Sequence, residues 1–90
     1  MAHEPKSSIF RLAAVLCTGI AKNHPFLDGN KRTALLTTRA FLYLTGFAFE
    51  PTEESEVVTL VGVAEGSVGE AELERWLRDN SHRRAKETKP

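Results

Sequence analysis

A small all-α domain of about four helices is the fold class this sequence predicts, and three observations predict it. Apolar residues recur at helical spacing in four separate stretches, and glycine, proline or a capping residue bounds each stretch. The apolar fraction, 41% of 90 residues, supports one modest core and no second domain.

The first helix is expected after Ser7 and Ser8, two good caps, with Ile9, Leu12, Ala13, Leu16 and Ile20 forming its apolar stripe. Asn23 stands where it should stop, and Pro25 disfavours helix at His24. Residues 24–29 then read as a short connection. From Asn30 to Thr45 the pattern is helical again, with Ala34, Leu35, Leu36, Ala40, Phe41, Leu42 and Leu44 wrapping more than one face. Such a helix is expected to be central and buried.

Gly46 is a C-terminal cap for that helix, and Phe47-Ala48-Phe49 reads as a short extended segment lying against the core. Thr52 caps a third helix whose acids Glu53 and Glu54 suit the positive end of the helix dipole, and Gly66 ends it. Gly69 caps the last helix, with Glu72 at its third position, Val68 placed to staple onto Leu73, and Trp76 and Leu77 continuing the stripe. Tyr43, Trp76 and the phenylalanines are expected in the core, as is Cys17. The domain is thus assigned to residues 1–80, and residues 81–90, rich in Arg and Lys without apolar periodicity, to a disordered basic tail.

Charge and composition exclude several classes of function. Twelve basic residues balance twelve acidic ones, so no overall field draws the chain to nucleic acid or an anionic membrane. A single cysteine excludes an intramolecular disulfide and a cysteine-based zinc site. No run approaches a membrane span and the start lacks signal-peptide order, so a cytoplasmic protein is expected.

The chemistry is concentrated in residues 24–34, HPFLDGNKRTA. Read from the residues alone, this is an anion site. A helix N-terminus presents unpaired N–H groups and a positive dipole end, and Gly29 lets the backbone curl around a phosphate. Lys31 and Arg32 are unfavourable beside that dipole unless something negative lies between. Asp28 can hold Mg²⁺, which needs only one or two carboxylates when phosphate oxygens complete its shell, or it can simply cap the helix. His24, six residues before Asn30, has the chemistry of a general base toward a hydroxyl. Arg39, two turns beyond, reads as a surface or salt-bridge residue. A helix-turn-helix reading fails, because the connection is too long and the second helix too apolar to lie in a DNA groove.

The run resembles the Fic/Doc signature, which asks for His, any residue, Phe, two residues, Gly or Ala, Asn, Gly or Lys, and Arg; every fixed position is filled. The resemblance implies that His24 is the general base, that Phe26 anchors the loop, and that Asp28 binds Mg²⁺. It also implies that Gly29, Asn30 and Lys31 form an anion hole and that Arg32 holds a terminal phosphate. AMP-transferring members usually carry Gly where Lys31 stands and a second Arg where Leu35 stands. Both departures point to the death-on-curing, Doc-like branch, whose founding member resembles a kinase that phosphorylates elongation factor Tu.

On this reading the chain is an N-terminally truncated, Fic-like toxin. It lacks the family's leading helices and most of the flap, and transfers phosphate from ATP to a protein hydroxyl under the restraint of a separate antitoxin. AMP transfer, and a catalytically inactive remnant that binds antitoxin or nucleotide, stand as the alternatives. No inhibitory motif of Ser or Thr, three residues, Glu, then Gly or Asn is found; Thr52 and Glu56 come near, but Val57 follows.

Overall fold

The computed structural model describes residues 6–22 and 27–84, with side chains described for residues 9–22 and 31–84. Four helices and two short strands follow in order: α1 (Lys6–Lys22), α2 (Leu27–Leu44), β1 (Phe47–Phe49), α3 (Glu53–Glu65), α4 (Glu70–Asp79) and β2 (Ser81–Arg83). The all-α expectation is met, with a two-stranded antiparallel ribbon added to it.

The buried face of α1 runs Phe10, Ala13, Ala14, Cys17, Ala21, a helical spacing offset from the stripe expected from the sequence. Phe10 takes an inward position and Leu12 is left 58% exposed. Rotating the helix this way turns its smallest side chains inward, so that neighbouring helices can approach closely. Helix α1 packs against α2, α4 and α3 and is the hub of the domain. Ser7 and Ser8, expected as caps before it, lie inside the helix.

Helix α2 buries one stripe, Ala34, Thr38 and Leu42, flanked by the partly buried Leu35 and Phe41. The expectation that it is apolar and buried on more than one face is corrected: Leu36, Tyr43 and Leu44 face outward, Leu44 at 81% exposure. Thr38 is the only polar residue in the described core, and its hydroxyl donates to the Ala34 carbonyl one turn back at 2.7 Å. That bond removes the cost of burying an unpaired hydroxyl. Tyr43, expected in the core, lies outside because it falls off the Ala34–Thr38–Leu42 stripe, and the guanidinium of Arg84 stacks 4.0 Å above its ring.

The turn after α2 follows the glycine logic of the sequence. Gly46 adopts φ 104°, a conformation that a Cβ penalises, and its N–H donates to the Tyr43 carbonyl. The chain then extends, and Phe47 and Phe49 turn inward while Ala48 lies half-buried between them. Phe47 meets Phe10 at 5.0 Å between ring centroids, and Phe49 meets Trp76 edge-on at 5.2 Å.

Strand β2 pairs with β1 in the register Phe47 with Arg83, Ala48 with His82, and Phe49 with Ser81. Residues 81–83, assigned to the basic tail, are therefore ordered by backbone pairing; residues 85–90 lie outside the described residues.

Helix α3 is capped as expected. The Thr52 hydroxyl accepts from Ser55 N–H at 3.1 Å, and Gly66 closes the far end in the left-handed region at φ 90°. The chain then folds back so that Ser67 and Val68 N–H both donate to the Gly62 carbonyl. Val68 and Leu73 join the same core cluster as α1, with Leu73 and Leu77 fully buried on α4.

Cys17 is buried, as expected, and burial pushes its thiol above the ordinary value of 9.0, against a smaller opposing effect of its hydrogen bond with Thr38. A folded state that holds this proton longer than the unfolded chain loses stability as pH rises through the unfolded thiol pKa, not below it.

Two glycines test this packing in opposite directions. A Cβ on Gly62 would stand 2.5 Å from a Val68 methyl, whereas one on Gly19 meets nothing within 4 Å. Gly19→Ala should therefore raise stability by about 0.5–1 kcal/mol through helix propensity. Gly62→Ala should lower it by about 1–3 kcal/mol as the turn shifts to make room. Urea denaturation of both variants measures the pair, and equal midpoints would contradict the packing of Val68 over α3.

Candidate functional site

The structure carries α2 back to Leu27, three residues before the start expected from the sequence. Asp28, Gly29 and Asn30 therefore belong to its first turn, not to the connection. Residues 27–30, the middle of the signature, are thus helical and form the first described turn of α2. The side chains of Asp28 and Asn30, and all of His24 and Phe26, lie outside the described residues.

Lys31 and Arg32 follow one turn into the helix, Lys31 half-buried and Arg32 exposed. Both open onto a cleft of about 380 Å³ between α2 and α3. Leu35, Leu60, Val57 and Val61 supply its apolar lining; Glu53 and Glu56 face the two cations across it. Lys31, Arg32 and Leu35 share this wall because residues three and four apart lie on one helix face. The cleft is thus cationic along α2, acidic at its far rim and apolar between.

Arg39 braces the α3 side of the cleft through Glu56. Its Nη2 donates to Glu56 Oε2 at 3.0 Å, its Nε donates to the Phe49 carbonyl at 3.4 Å, and its guanidinium lies 5.4 Å from the centre of the Phe49 ring. One side chain of α2 is thereby tied to α3 and to β1. The salt-bridge reading of Arg39 is correct, and its partner Glu56 is now named.

Sequence reasoning missed the α3 wall. Glu53 reads as a dipole-matched acid of a first turn and Val57 as one more apolar residue; only the angle between α2 and α3 turns both toward Lys31 and Arg32. Among the described residues no three His, Cys, Asp or Glu side chains gather as a metal site, and Asp28 is not part of that set. No helix among them is long and apolar enough to cross a membrane.

The family model described as Fic/DOC family matches residues 1–42. This span takes in α1, the connection with the signature, and α2 as far as Leu42, its last fully buried residue. Helices α3 and α4 and the strand pair lie beyond it. No curated protein and no solved structure matches the chain.

Removing Arg39 tests the brace. The pair is partly exposed on the arginine side, at 39%, so the ion pair alone is worth less than about 1 kcal/mol. Glu56 is only 18% exposed, and Arg39→Ala leaves its carboxylate without that partner, so a total cost of about 1–2 kcal/mol is expected. Glu56→Gln should cost less, because the amide oxygen still accepts. An unchanged thermal midpoint for Arg39→Ala would remove the brace from this account.

Proposed function

We propose that the chain is a Fic-type protein-modifying enzyme of the Doc-like branch, transferring the γ-phosphate of ATP to a hydroxyl of a target protein. The observation that carries this reading is the complete signature lying within the span matched by the family model, with its second half forming the first turn of α2.

The helix N-terminus supplies N–H groups and a dipole for phosphate, and Arg32, on the cleft side of that turn, adds a cation for its terminal oxygens. Phosphoryl transfer asks a protein mainly for positioning and charge stabilisation, and this end of α2 offers both. Lys31 supplies a second charge in the same wall. In the proposal His24 takes the proton from the target hydroxyl, Phe26 anchors the connection, and Gly29 and Asn30 contribute backbone N–H groups. Asp28 is the residue that would hold Mg²⁺, and the ion when bound neutralises phosphate charge. The acids Glu53 and Glu56 disfavour phosphate at the α3 rim and so favour the α2 side of the cleft.

Lys31 and Leu35 favour phosphate transfer over AMP transfer. Glycine in place of Lys31 would leave the backbone open to an α-phosphate, whereas lysine brings bulk and charge to that spot. Leu35 sits in the cleft as an apolar residue where the resemblance asks AMP-transferring members for a second arginine. The remaining parts of the proposal are a translation factor such as elongation factor Tu as the target, cytoplasmic action, and restraint by a separate antitoxin.

His24→Ala should lower transfer by about 10²–10⁴-fold while nucleotide binding persists. ATP labelled at the γ position should label the target, and ATP labelled at the α position should not; Lys31→Gly should weaken the γ transfer. Transfer of α label by the unaltered chain would replace the kinase reading with AMP transfer. Transfer at full rate by His24→Ala would end the mechanism, and a lysate with no mass gain on any protein would favour the inactive remnant.

A further inference from the structure

The net charge of zero hides a sharp division. Between residues 6 and 49 the sequence holds six basic side chains and one acid, Asp28; between residues 50 and 80 it holds nine acids and two bases. The first stretch forms α1, α2 and β1 and the second α3 and α4; the two meet at the cleft where Glu53 and Glu56 face Lys31 and Arg32, and each carries its own outward face.

Each half also exposes an apolar stripe. On α2, Leu36, Tyr43 and Leu44 are 56%, 54% and 81% exposed, with Ala40 also exposed between them. Arg32 lies one turn before the stripe and Arg84 stacks over its Tyr43 end, and no acid follows Asp28 on this helix. On α3, Val57 and Val58 are 62% and 66% exposed, with Glu53 and Glu54 one turn before them. One surface is apolar with a basic rim, and the other is apolar with an acidic rim. Burial of the apolar parts supplies attraction, and the rims select the orientation and the partner.

We infer that the α2 face of one copy docks on the α3 face of a second copy of this chain, head to tail. A second copy is the occupant because the molecule itself carries the complementary surface, matched in both charge and apolar character. Pairing α2 with α2 would set Arg32 and Arg84 against their own kind. Because the two faces differ, the contact is heterologous and each copy retains one open face, so assembly continues beyond the dimer unless a ring closes. Val57 also lines the cleft that holds Lys31 and Arg32, so the docked copy covers the cleft mouth. The inference stands apart from the activity proposed for that cleft.

Sedimentation equilibrium of the 90-residue chain tests it. The weight-average mass should climb from the monomer value of 10.0 kDa. The rise is expected between about 10 µM and 1 mM protein, the weak end expected for a small interface. It should be smaller at about 0.5 M salt than at 0.02 M, because charge attraction is screened.

Two double variants separate the faces: Leu36→Gln with Leu44→Gln on α2, and Val57→Gln with Val58→Gln on α3. All four positions are exposed and glutamine is a good helix former, so both variants should keep the far-UV circular dichroism and melting of the parent. Each alone should remain at the monomer mass, and an equimolar mixture should reach twice that mass and stop, since only one productive contact remains. A parent chain that stays monomeric throughout overturns the inference. So does association that survives the α3 double variant, or a mixture of the two variants that stays monomeric.

Discussion

The rest of the domain hangs on the seam between α1 and α2, where small side chains let two helices joined by a short connection pack closely. Ala13, Ala14, Cys17 and Ala21 face inward on one helix, and Ala34, Thr38 and Leu42 on the other. The one buried hydroxyl at this seam, on Thr38, is satisfied within its own helix by the Ala34 carbonyl. A larger residue at any alanine position would push α2 outward, and the cleft against α3 would change with it. The seam therefore sets where the N-terminus of α2, and the signature on it, can sit.

Much of this was legible in the sequence because it rests on local rules. Gly46, Thr52 and Gly66 mark their boundaries through backbone conformation and capping, and the structure uses all three. The apolar triplet Phe47–Phe49 is extended and packed inward for the reason its composition suggests. What the sequence concealed depends on tertiary context. Leu12 and Phe10 are both apolar and near each other in sequence, so periodicity alone could not say which of two overlapping stripes turns inward. The smaller residues decided it, because helix approach favours Ala13, Ala14 and Cys17 over Leu12 and Leu16. Ser81, His82 and Arg83 carry no strand pattern; their order comes from backbone pairing to β1, with Arg83 lying 5.7 Å from the Phe47 ring.

The site shows the same division. Its chemical identity is written in consecutive residues, and its cationic side, Lys31 and Arg32, appears where the spacing puts it. Its opposite wall is not written locally at all. Glu53, Glu56 and Val57 reach the cleft because α3 packs beside α2, where Arg39 ties to Glu56 across 17 residues of sequence. A motif can name the chemistry of one wall, while the space facing it is a property of the whole fold.

Arg84 gives the strand pair a meaning beyond its three residues. Its Nη2 donates to the Tyr43 carbonyl at 2.8 Å and its N–H to the Gly46 carbonyl at 2.9 Å, closing off the C-terminal end of α2 from 41 residues downstream of Tyr43. Carbonyls at a helix end need partners, and here Thr45 and Gly46 in the adjoining turn supply the first of them while Arg84 adds a second donor to the Tyr43 carbonyl. During synthesis α2 emerges well before that partner does, at a pace of about 5–20 residues per second. For a few seconds the growing chain holds that helix end by its own turn alone, and the arrival of β2 adds the second tie. The ribbon thus acts as a latch that closes on α2 only after both later helices have been made.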